Sequence, residues 1–227
     1  MKGPLAMSSH TDLEAKTKTA TLALDFHLDL ICPWCWIGLR HLRAALKELH
    51  AQQPNVVWQI RWHAQTLQPQ IPEQGLDYQA FYIARLGSAE AVAARRAQVQ
   101  AAAQPAGLML NFDSITVFPN TRKICALVNA AQMQLASEAM LDFVESVFAA
   151  YFQQGCDLGD VQVLLQLARD GGLNLQSDVL TQPVPAASMG VASGVPHFVF
   201  NHACSETGAV SVACLLQRML VVGAAHD

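Results

Sequence analysis

The sequence predicts an α/β fold in which one β-sheet, built from both ends of the chain, is interrupted by a long helical block. Strand-like segments rich in β-branched and aromatic residues occur near residues 21–63 and 196–210, and the long stretch between them has helical patterns. A pair of cysteines, Cys32 and Cys35, marks the junction of the first strand and the first helix. The 227 residues suffice to bury a large core as one domain, or as one domain carrying an insertion.

The N-terminal part of the chain has the pattern of a βαβ unit. Residues 21–30 alternate apolar and polar side chains in their later half, which is typical of a strand, and leucines recur at helical spacing over residues 36–50. Residues 56–63 are β-branched and aromatic and form the second predicted strand. A right-handed crossover through the helix makes the two strands parallel.

The central block is predicted to be helical, apart from a short extended piece at residues 108–112. Asp77 and Ser88 are the expected caps of its first two helices, and either Asn120 or Thr121 is expected to cap the third. The predicted helices cover residues 78–86, 89–103, 121–135, 137–154 and 157–169.

Strand character returns at the C-terminal end, where strands are predicted at residues 196–201 and 207–210 and a helix at residues 211–222. These pieces complete the first sheet only if the helical block is an insertion. The sequence therefore predicts a thioredoxin-like fold (βαβ … ββα) with a large all-helical insertion. The predicted division is a disordered extension over 1–19, a thioredoxin-like domain over 20–66 and 187–227, and an insertion subdomain over 67–186.

Composition excludes several classes of function. The formal net charge is -4, so a basic surface for nucleic acid is not expected. The pairs Arg95-Arg96 and Arg122-Lys123 are predicted to be solvated helix surface. No apolar run of about 18 residues is present, so no membrane span is expected. The first residues lack the apolar core of a signal peptide, and we expect a cytoplasmic protein, in which cysteines stay reduced unless they are catalytic.

The stretch Cys32-Pro33-Trp34-Cys35 has the spacing and position of a redox-active dithiol. A thiolate at a helix start is stabilised by unpaired backbone N–H groups and by the positive end of the helix dipole, which lowers the pKa of the cysteine. Pro33 suits the first helical position because that position needs no N–H donor. Cys32 is therefore the predicted N-cap and nucleophile, and Cys35 the more buried resolving cysteine.

Two other interpretations of the pair are weaker. Zinc would need a second pair of ligands at comparable spacing, but Cys125, Cys156, Cys204 and Cys214 stand singly. A structural disulfide at this spacing would constrain almost no chain. No metal is expected, and no cofactor beyond the Cys32–Cys35 disulfide itself.

Further short motifs accompany the cysteine pair in a fixed order along the chain. They are Asp29 with Cys32-Pro33-Trp34-Cys35 and Gly38; Asn120-Thr121; Tyr151-Phe152 with Gly155, Asp157 and Leu158; Gly190-Val191; Gly194-Val195-Pro196-His197-Phe198; and Gly208-Ala209. In these residues the sequence resembles the DsbA-like thiol–disulfide oxidoreductases, specifically their FrnE-like branch, and the resemblance covers roughly residues 22–220.

The resemblance implies that Pro196 follows a cis peptide bond and lies opposite the dithiol. Backbone groups of Val195 would then pair with a peptide substrate whose sulfur approaches Cys32. Pro33 would tune the redox potential, and Trp34 would either form an aromatic lip for the substrate or only cover Cys35. Without the resemblance, a trans proline opening an edge strand would be the commoner case.

The sequence also departs from the family. Cys125 stands where the branch usually has a histidine, and is either a third thiol near the site or a buried small hydrophobe. Pro183 and Pro185 are expected to break or shorten a helix that the family tends to place between residues 178 and 190. His197 would affect the dithiol only if it faced inward.

Two residues of the first strand are candidate supporting groups. His27 is either a base or a satisfied core histidine. Asp29 is on the same predicted strand face, and it either poises proton transfer for Cys35 or hydrogen-bonds around the helix start.

These features predict an enzyme that exchanges disulfides with protein or small-molecule thiols, with glutathione a candidate co-substrate. The second hypothesis is a glutathione-dependent isomerase or transferase of the hydroxychromene carboxylate isomerase type, although such relatives tend to carry serine in place of Cys32. A third is a non-catalytic interaction module. A homodimer through exposed helix surface is conceivable. The direction of exchange stays open.

Overall fold

The computed structural model describes residues 21–182 and 194–224. Within them, one four-stranded sheet is formed by Thr21–Leu28 (β1), Val57–Ala64 (β2), His197–Phe200 (β5) and Cys204–Thr207 (β6), in the order β2-β1-β5-β6. β1 and β2 are parallel, with Thr21 opposite Val57 and Leu28 opposite Ala64, whereas β5 is antiparallel to both β1 and β6. The predicted thioredoxin-like βαβ and ββα units are therefore confirmed, and they share one sheet.

Helices occupy the segment between β2 and β5 and also follow β1 and β6. A two-stranded ladder of Leu76–Asp77 (β3) with Val117–Phe118 (β4) lies among them. The helices of the described residues are Pro33–Gln52 (α1), Tyr78–Leu86 (α2), Ala89–Ala103 (α3), Arg122–Ala131 (α4), Ser137–Phe152 (α5), Val161–Asp170 (α6) and Val212–Ala224 (α7). None of them is both long and apolar enough to cross a bilayer.

Local cap chemistry places the first two insertion helices where they were predicted. The Asp77 carboxylate accepts the N–H of Ala80 at 2.7 Å, and the Ser88 hydroxyl accepts that of Ala91 at 3.2 Å. Each bond satisfies an N–H group that has no partner within the helix. Both helices begin at the residue after the predicted cap.

Two predicted elements have different bounds in the structure. The helix expected from residue 157 begins at Val161, because Asp160 is its cap and Asp157 instead accepts the N–H of Gly159 in the preceding turn. The strand expected at 207–210 is Cys204–Thr207. The chain reverses directly after β5, through Asn201 and His202, which both have positive φ.

The insertion is not entirely helical, and the extended piece predicted at 108–112 forms no strand. β3 and β4 pair over two residues each, which is too short to leave an alternating pattern in the sequence. The division between insertion and C-terminal domain near residue 187 lies outside the described residues, as do the predicted N-terminal extension, the helix break at Pro183 and Pro185, and the motif Gly190-Val191.

Helix α1 joins the sheet to the insertion. On the sheet side, a Cβ atom at Gly38 would lie only 3.1 Å from Pro196 Cγ and 3.2 Å from the Phe198 ring. On the other side, Trp36 is buried against Phe148 and Phe152 of α5, with ring centroids 6.0 and 5.9 Å away. The N-terminus of α1 is thus held between both parts of the molecule.

Candidate active site

The first turn of α1 presents the two cysteines as predicted. Cys32 is the N-cap, with extended backbone angles (φ -95°, ψ 110°), and Pro33 is the first helical residue. The Cys32 carbonyl accepts the N–H groups of Cys35 at 3.0 Å and Trp36 at 3.4 Å, and its own N–H donates to the Asp29 carbonyl at 3.0 Å. Cys32 is half-buried, Cys35 is fully buried, and both are free thiols.

The surroundings move the pKa values of the two cysteines in opposite directions. The pKa of Cys32 is lowered, first by a hydrogen bond from the Cys35 thiol and then by the backbone N–H groups of Cys35 and Trp34, against the effects of burial and of the Asp29 charge. The pKa of Cys35 is raised well above its usual value, chiefly by burial and then by the neighbouring Cys32. The more accessible sulfur is therefore the one that ionises.

Asp29 is a fully buried carboxyl group at the end of β1, directly before this turn. Its Oδ2 accepts the N–H of Leu67 at 2.9 Å, and its Oδ1 accepts that of Ile31 at 3.4 Å. Burial raises the pKa of Asp29 to about 6, because these hydrogen bonds offset only part of the cost of desolvating the charge. The charge of Asp29 in turn raises the pKa values of Cys32 and Cys35.

Asn120 and Thr121 begin α4 and do not line the cavity described below. The Asn120 side chain accepts the Arg122 N–H at 3.0 Å and donates to the Ile71 carbonyl. Thr121 occupies the N-cap position, and the observed cap bond comes from Asn120. The buried Thr121 hydroxyl lies beside the Asp29 carboxyl and the Cys125 thiol, and it opposes the rise in the pKa of each.

The Val195–Pro196 peptide bond is cis, as the family resemblance implies. Pro196 is buried against α1 at Gly38, and its carbonyl accepts the N–H of Gly208 at 2.8 Å. Val195 is half-buried. The loop thus packs against α1 one turn beyond the dithiol.

His27 is not brought to the dithiol cavity. Its ring stacks on His63, with centroids 4.3 Å apart, and lies 5.6 Å from His197. Burial and the two neighbouring histidines lower the pKa of His27 to about 4, so its ring is neutral near pH 7. His197 is buried on the same face of the sheet and bonds Thr207 Oγ1 at 2.7 Å. Of the two alternatives for His27, the structure favours a core residue.

A cavity of about 480 Å³ opens on Cys32. One wall is the start of α1, and the others come from the insertion, which contributes aromatic, aliphatic and arginine side chains. The lining residues are Ile31, Cys32, Pro33, Trp34, Tyr78, Tyr82, Arg85, Leu86, Val92, Arg95, Arg96, Val99, Phe112 and Phe118.

The prediction that Arg95 and Arg96 are solvated helix surface agrees with the exposed Arg95 but is wrong for Arg96, and both residues line the cavity. Arg96 is half-buried, with its guanidinium carbon 5.3 Å from the Tyr78 ring centroid, and Arg95 lies 5.8 Å from that of Trp34. Sequence analysis also missed Tyr82, whose buried hydroxyl has its pKa raised to about 12 by burial and then by the Cys32 charge. The cavity-lining residues of α2 and α3 recur three or four positions apart in the sequence, and this spacing was the available indication that they share one helix face.

The remaining cysteines are also free thiols. Cys125 is buried, 3.9 Å from Thr66 Oγ1, and burial raises its pKa, which agrees with a small core residue. Cys156, Cys204 and Cys214 are half-buried. Within residues 21–182 and 194–224, no group of histidine, cysteine and acidic side chains has the arrangement of a metal site.

A thioredoxin-like sheet, a large insertion and two cysteines at the start of the first helix together define the class of DsbA-like proteins. Residues 23–219 match the family described as DSBA-like thioredoxin domain. The chain belongs to that family. A search of curated proteins gave no significant match.

Solved structures with the same fold agree with this assignment. A probable DsbA oxidoreductase from Streptomyces coelicolor is 22% identical, with 91% of each chain covered and a TM-score of 0.75. The cytosolic disulfide reductase DsbM from Pseudomonas aeruginosa, solved with GSH, is 16% identical (90% of this chain, 98% of that one, TM-score 0.57). A 2-hydroxychromene-2-carboxylate isomerase is also 16% identical (90% and 94%, TM-score 0.55). At these identities the likeness concerns the fold.

Proposed function

We propose that this protein is a thiol–disulfide oxidoreductase that uses Cys32 as nucleophile and Cys35 as resolving cysteine. The observation that carries the proposal is the opposite shift of the two pKa values, with the lowered one on the sulfur that faces a cavity. The thiolate is the attacking form in disulfide exchange. A resolving cysteine that stays protonated does not attack until the mixed disulfide has formed.

In the first half-reaction, the Cys32 thiolate attacks one sulfur of a substrate disulfide. The new bond joins Cys32 to that sulfur, the substrate S–S bond breaks, and the other substrate sulfur leaves as a thiolate. When Cys32 becomes part of the mixed disulfide, its negative charge disappears. One of the causes that raise the pKa of Cys35 disappears with it.

In the second half-reaction, Cys35 loses its proton and attacks Cys32. The second substrate sulfur leaves as a thiolate, and the protein holds a Cys32–Cys35 disulfide; two electrons have passed to the substrate. We assign Asp29 as the acceptor of the Cys35 proton, because its pKa of about 6 leaves it mostly ionised at neutral pH but close to a proton exchange. Run backwards, the same steps oxidise a substrate dithiol.

Protein and small-molecule thiols or disulfides are the proposed partners. The Val195–Pro196 loop against α1 would pair with an extended peptide, and Pro33 and Trp34 border the cavity that would hold the reacting group. The name of the DsbM neighbour describes it as cytosolic, and we propose the cytoplasm here too. The FrnE-like branch and a homodimer remain predictions.

The test is turnover of a disulfide substrate by the reduced protein beside Cys32→Ser and a matched control, Cys156→Ser. Cys156 is a half-buried free cysteine that does not line the cavity. Turnover should vanish in Cys32→Ser and stay within twofold in Cys156→Ser. Equal turnover by the wild-type protein and Cys32→Ser would refute the assigned nucleophile.

The alternative is a glutathione-dependent isomerase or transferase. It is favoured by the shared fold with a 2-hydroxychromene-2-carboxylate isomerase and with a reductase solved with GSH. Two cysteines with opposed pKa shifts argue against it, since isomerisation needs no resolving thiol. Saturable glutathione binding that Cys35→Ala leaves intact, with no disulfide turnover in the wild-type protein, would reverse the order of the two functions.

A further inference from the structure

The insertion lines the cavity at Cys32 with aromatic rings and arginines. Among the described residues, Arg85, Arg95 and Arg96 line the cavity and no acidic side chain does. Three cationic side chains thus line one cavity of a protein whose net charge is -4. A cleft lined by charge of one sign attracts ligands of the other and raises their local concentration.

The three arginines differ in the partners that their guanidinium groups already have within the protein. Arg96 forms an ion pair with Asp113 at 3.2 Å, donates a hydrogen bond to Gln79 at 2.8 Å, and stacks on the Tyr78 ring. These contacts within the protein already use its guanidinium group. Arg85 and Arg95 form no ion pair with any other residue of the described ranges.

Arg85 and Arg95 line the cavity from two different helices, α2 and α3. The Arg95 guanidinium lies over the ring of Trp34, the residue directly before Cys35. Its Nη1 donates a hydrogen bond to Gln98 at 2.6 Å. Arg85, on α2, is close enough to Tyr82 for its charge to oppose the rise in the pKa of that hydroxyl. Both side chains are exposed, so they can meet a ligand that enters from solvent.

We infer that the preferred small-molecule substrate of this site is a disulfide whose sulfur is attached to a flat or apolar group carrying a carboxylate. The inference rests on the proposed exchange chemistry and adds the class of substrate. Trp34, Tyr82 and Phe112 offer surface for a ring, and an arginine fork matches a carboxylate with two parallel hydrogen bonds. A volume of about 480 Å³ holds a group of that size.

The reaction with such a substrate balances without another reactant. The Cys32 thiolate forms a bond to one aryl sulfur and expels an aryl thiolate; Cys35 then attacks Cys32 and expels the second aryl thiolate. Its proton passes through Asp29 to solvent. The protein dithiol is oxidised and the aryl disulfide is reduced by two electrons.

Two aryl disulfides that differ in charge test the inference. 5,5′-Dithiobis(2-nitrobenzoate) carries two carboxylates, and 4,4′-dithiodipyridine is neutral near pH 7. Stopped flow measures the rate of the reaction phase that is absent in Cys32→Ser. This rate is divided by the rate at which free glutathione reacts with the same probe. The variants are Arg85→Gln, Arg95→Gln and the double variant, with Arg169→Gln as control, an exposed arginine of α6 outside the cavity.

With the anionic probe, we expect the double variant to react about tenfold more slowly than the wild-type protein, at the low end of electrostatic steering. With the neutral probe, the rates of the two proteins should agree within twofold. Arg95→Lys should slow the anionic probe less than Arg95→Gln does, because lysine keeps the charge but not the two parallel hydrogen bonds. Salt at 0.5 M should lower the wild-type rate with the anionic probe alone. Arg169→Gln should change neither rate.

Equal slowing with both probes would overturn the inference, because the arginines would then act on the Cys32 thiolate rather than on the ligand. An unchanged rate with the anionic probe would overturn it too. If the wild-type protein shows no Cys32-dependent phase even with the neutral probe, the proposed exchange activity itself fails. That outcome is distinct from the first two, in which the neutral probe still reacts.

Discussion

The two halves of the active site are built in different ways. The half that belongs to the sheet domain is a single turn of chain, in which Cys32, Pro33 and Cys35 are held by backbone hydrogen bonds within the same turn. The half that belongs to the insertion is assembled from side chains of α2, α3 and the segment before α4. On the proposed mechanism, the turn that holds the two cysteines would carry out the exchange and the insertion would select the substrate. Changes to the two cysteines should therefore affect every disulfide alike, and changes in the insertion should be selective.

The largest effect is expected from Cys35→Ala, which removes the resolving thiol from the sheet half. Multiple turnover should fall by on the order of a thousandfold for every substrate. The Cys32 adduct should accumulate, because nothing inside the protein can release it. Mass spectrometry of the intact protein would detect one bound substrate half.

Cys125→Ala is the matched control variant for Cys35→Ala. Cys125 is as buried as Cys35, but it does not line the cavity. It should neither trap an adduct nor slow turnover beyond what its effect on stability explains. A trapped adduct in both variants would mean that the resolving thiol has been assigned wrongly.

The next largest effect is expected from Trp36→Ala, since Trp36 ties the two halves together. The side chain is 1% exposed, packs between Phe148 and Phe152, and donates from Nε1 to Glu145 at 2.6 Å. The free energy of unfolding should fall by about 3–5 kcal/mol, as for other large buried aromatic residues. Urea unfolding followed by circular dichroism measures this.

The half-buried Trp58 of β2 provides the control for that loss. Trp58→Ala should cost less than half as much as Trp36→Ala. Equal losses of unfolding free energy in the two variants would contradict the inference that Trp36 links the sheet to the insertion.

Asp29→Asn should change the dependence of stability on pH. The pKa of this carboxyl is about 6 in the folded protein, against 3.8 for an ordinary aspartate. Between these values the folded state keeps a proton that the unfolded chain releases, so stability falls as the pH rises from about 4 to about 6 and stays low above it. Two units of pKa correspond to about 3 kcal/mol, which Asp29→Asn should recover at pH 7.5 but not at pH 3.5.

Unfolding midpoints at the two pH values check the Asp29 prediction, with the exposed Asp178→Asn as control. The same Asp29→Asn variant should slow the resolving step, because only the second half-reaction needs the proton acceptor. It should not slow the first attack by Cys32, because loss of the Asp29 charge removes one of the causes that raise the pKa of Cys32. A gain in stability of equal size at both pH values would show that Asp29 is not a destabilising buried charge.

The smallest effect is expected from Gly38→Ala, on the sheet side of α1. The added methyl group would lie 3.1 Å from Pro196 Cγ and 3.2 Å from the Phe198 ring, closer than ordinary contact. We expect a loss of about 1–2 kcal/mol, typical of overpacking, in place of the gain that alanine usually gives in a helix. Turnover of a peptide disulfide should fall more than that of a small aryl disulfide, since the Val195–Pro196 loop moves. Unchanged stability would mean that the loop adapts freely.

The sequence predicted the parts of the molecule that depend on neighbouring residues. The positions of Cys32 and Pro33 as cap and first residue of α1, the caps at Asp77 and Ser88, and the parallel βαβ unit all follow from interactions within a few residues or from a regular period. The same local chemistry explains one miss, because Asp157 and Asp160 compete for the start of α6 and only the hydrogen bonds distinguish them.

Only the tertiary structure decided which side chains line the cavity at Cys32. Arg85 and Arg95 are far from Cys32 along the chain, and on an isolated helix they are indistinguishable from solvated surface. Packing of the insertion against α1 places them beside the cavity and removes water from Asp29 and Cys35, which raises both pKa values. The field of a helix end is built by adjacent peptide groups and can be read from sequence; desolvation and cavity shape arise when distant segments pack, and no local pattern encodes them.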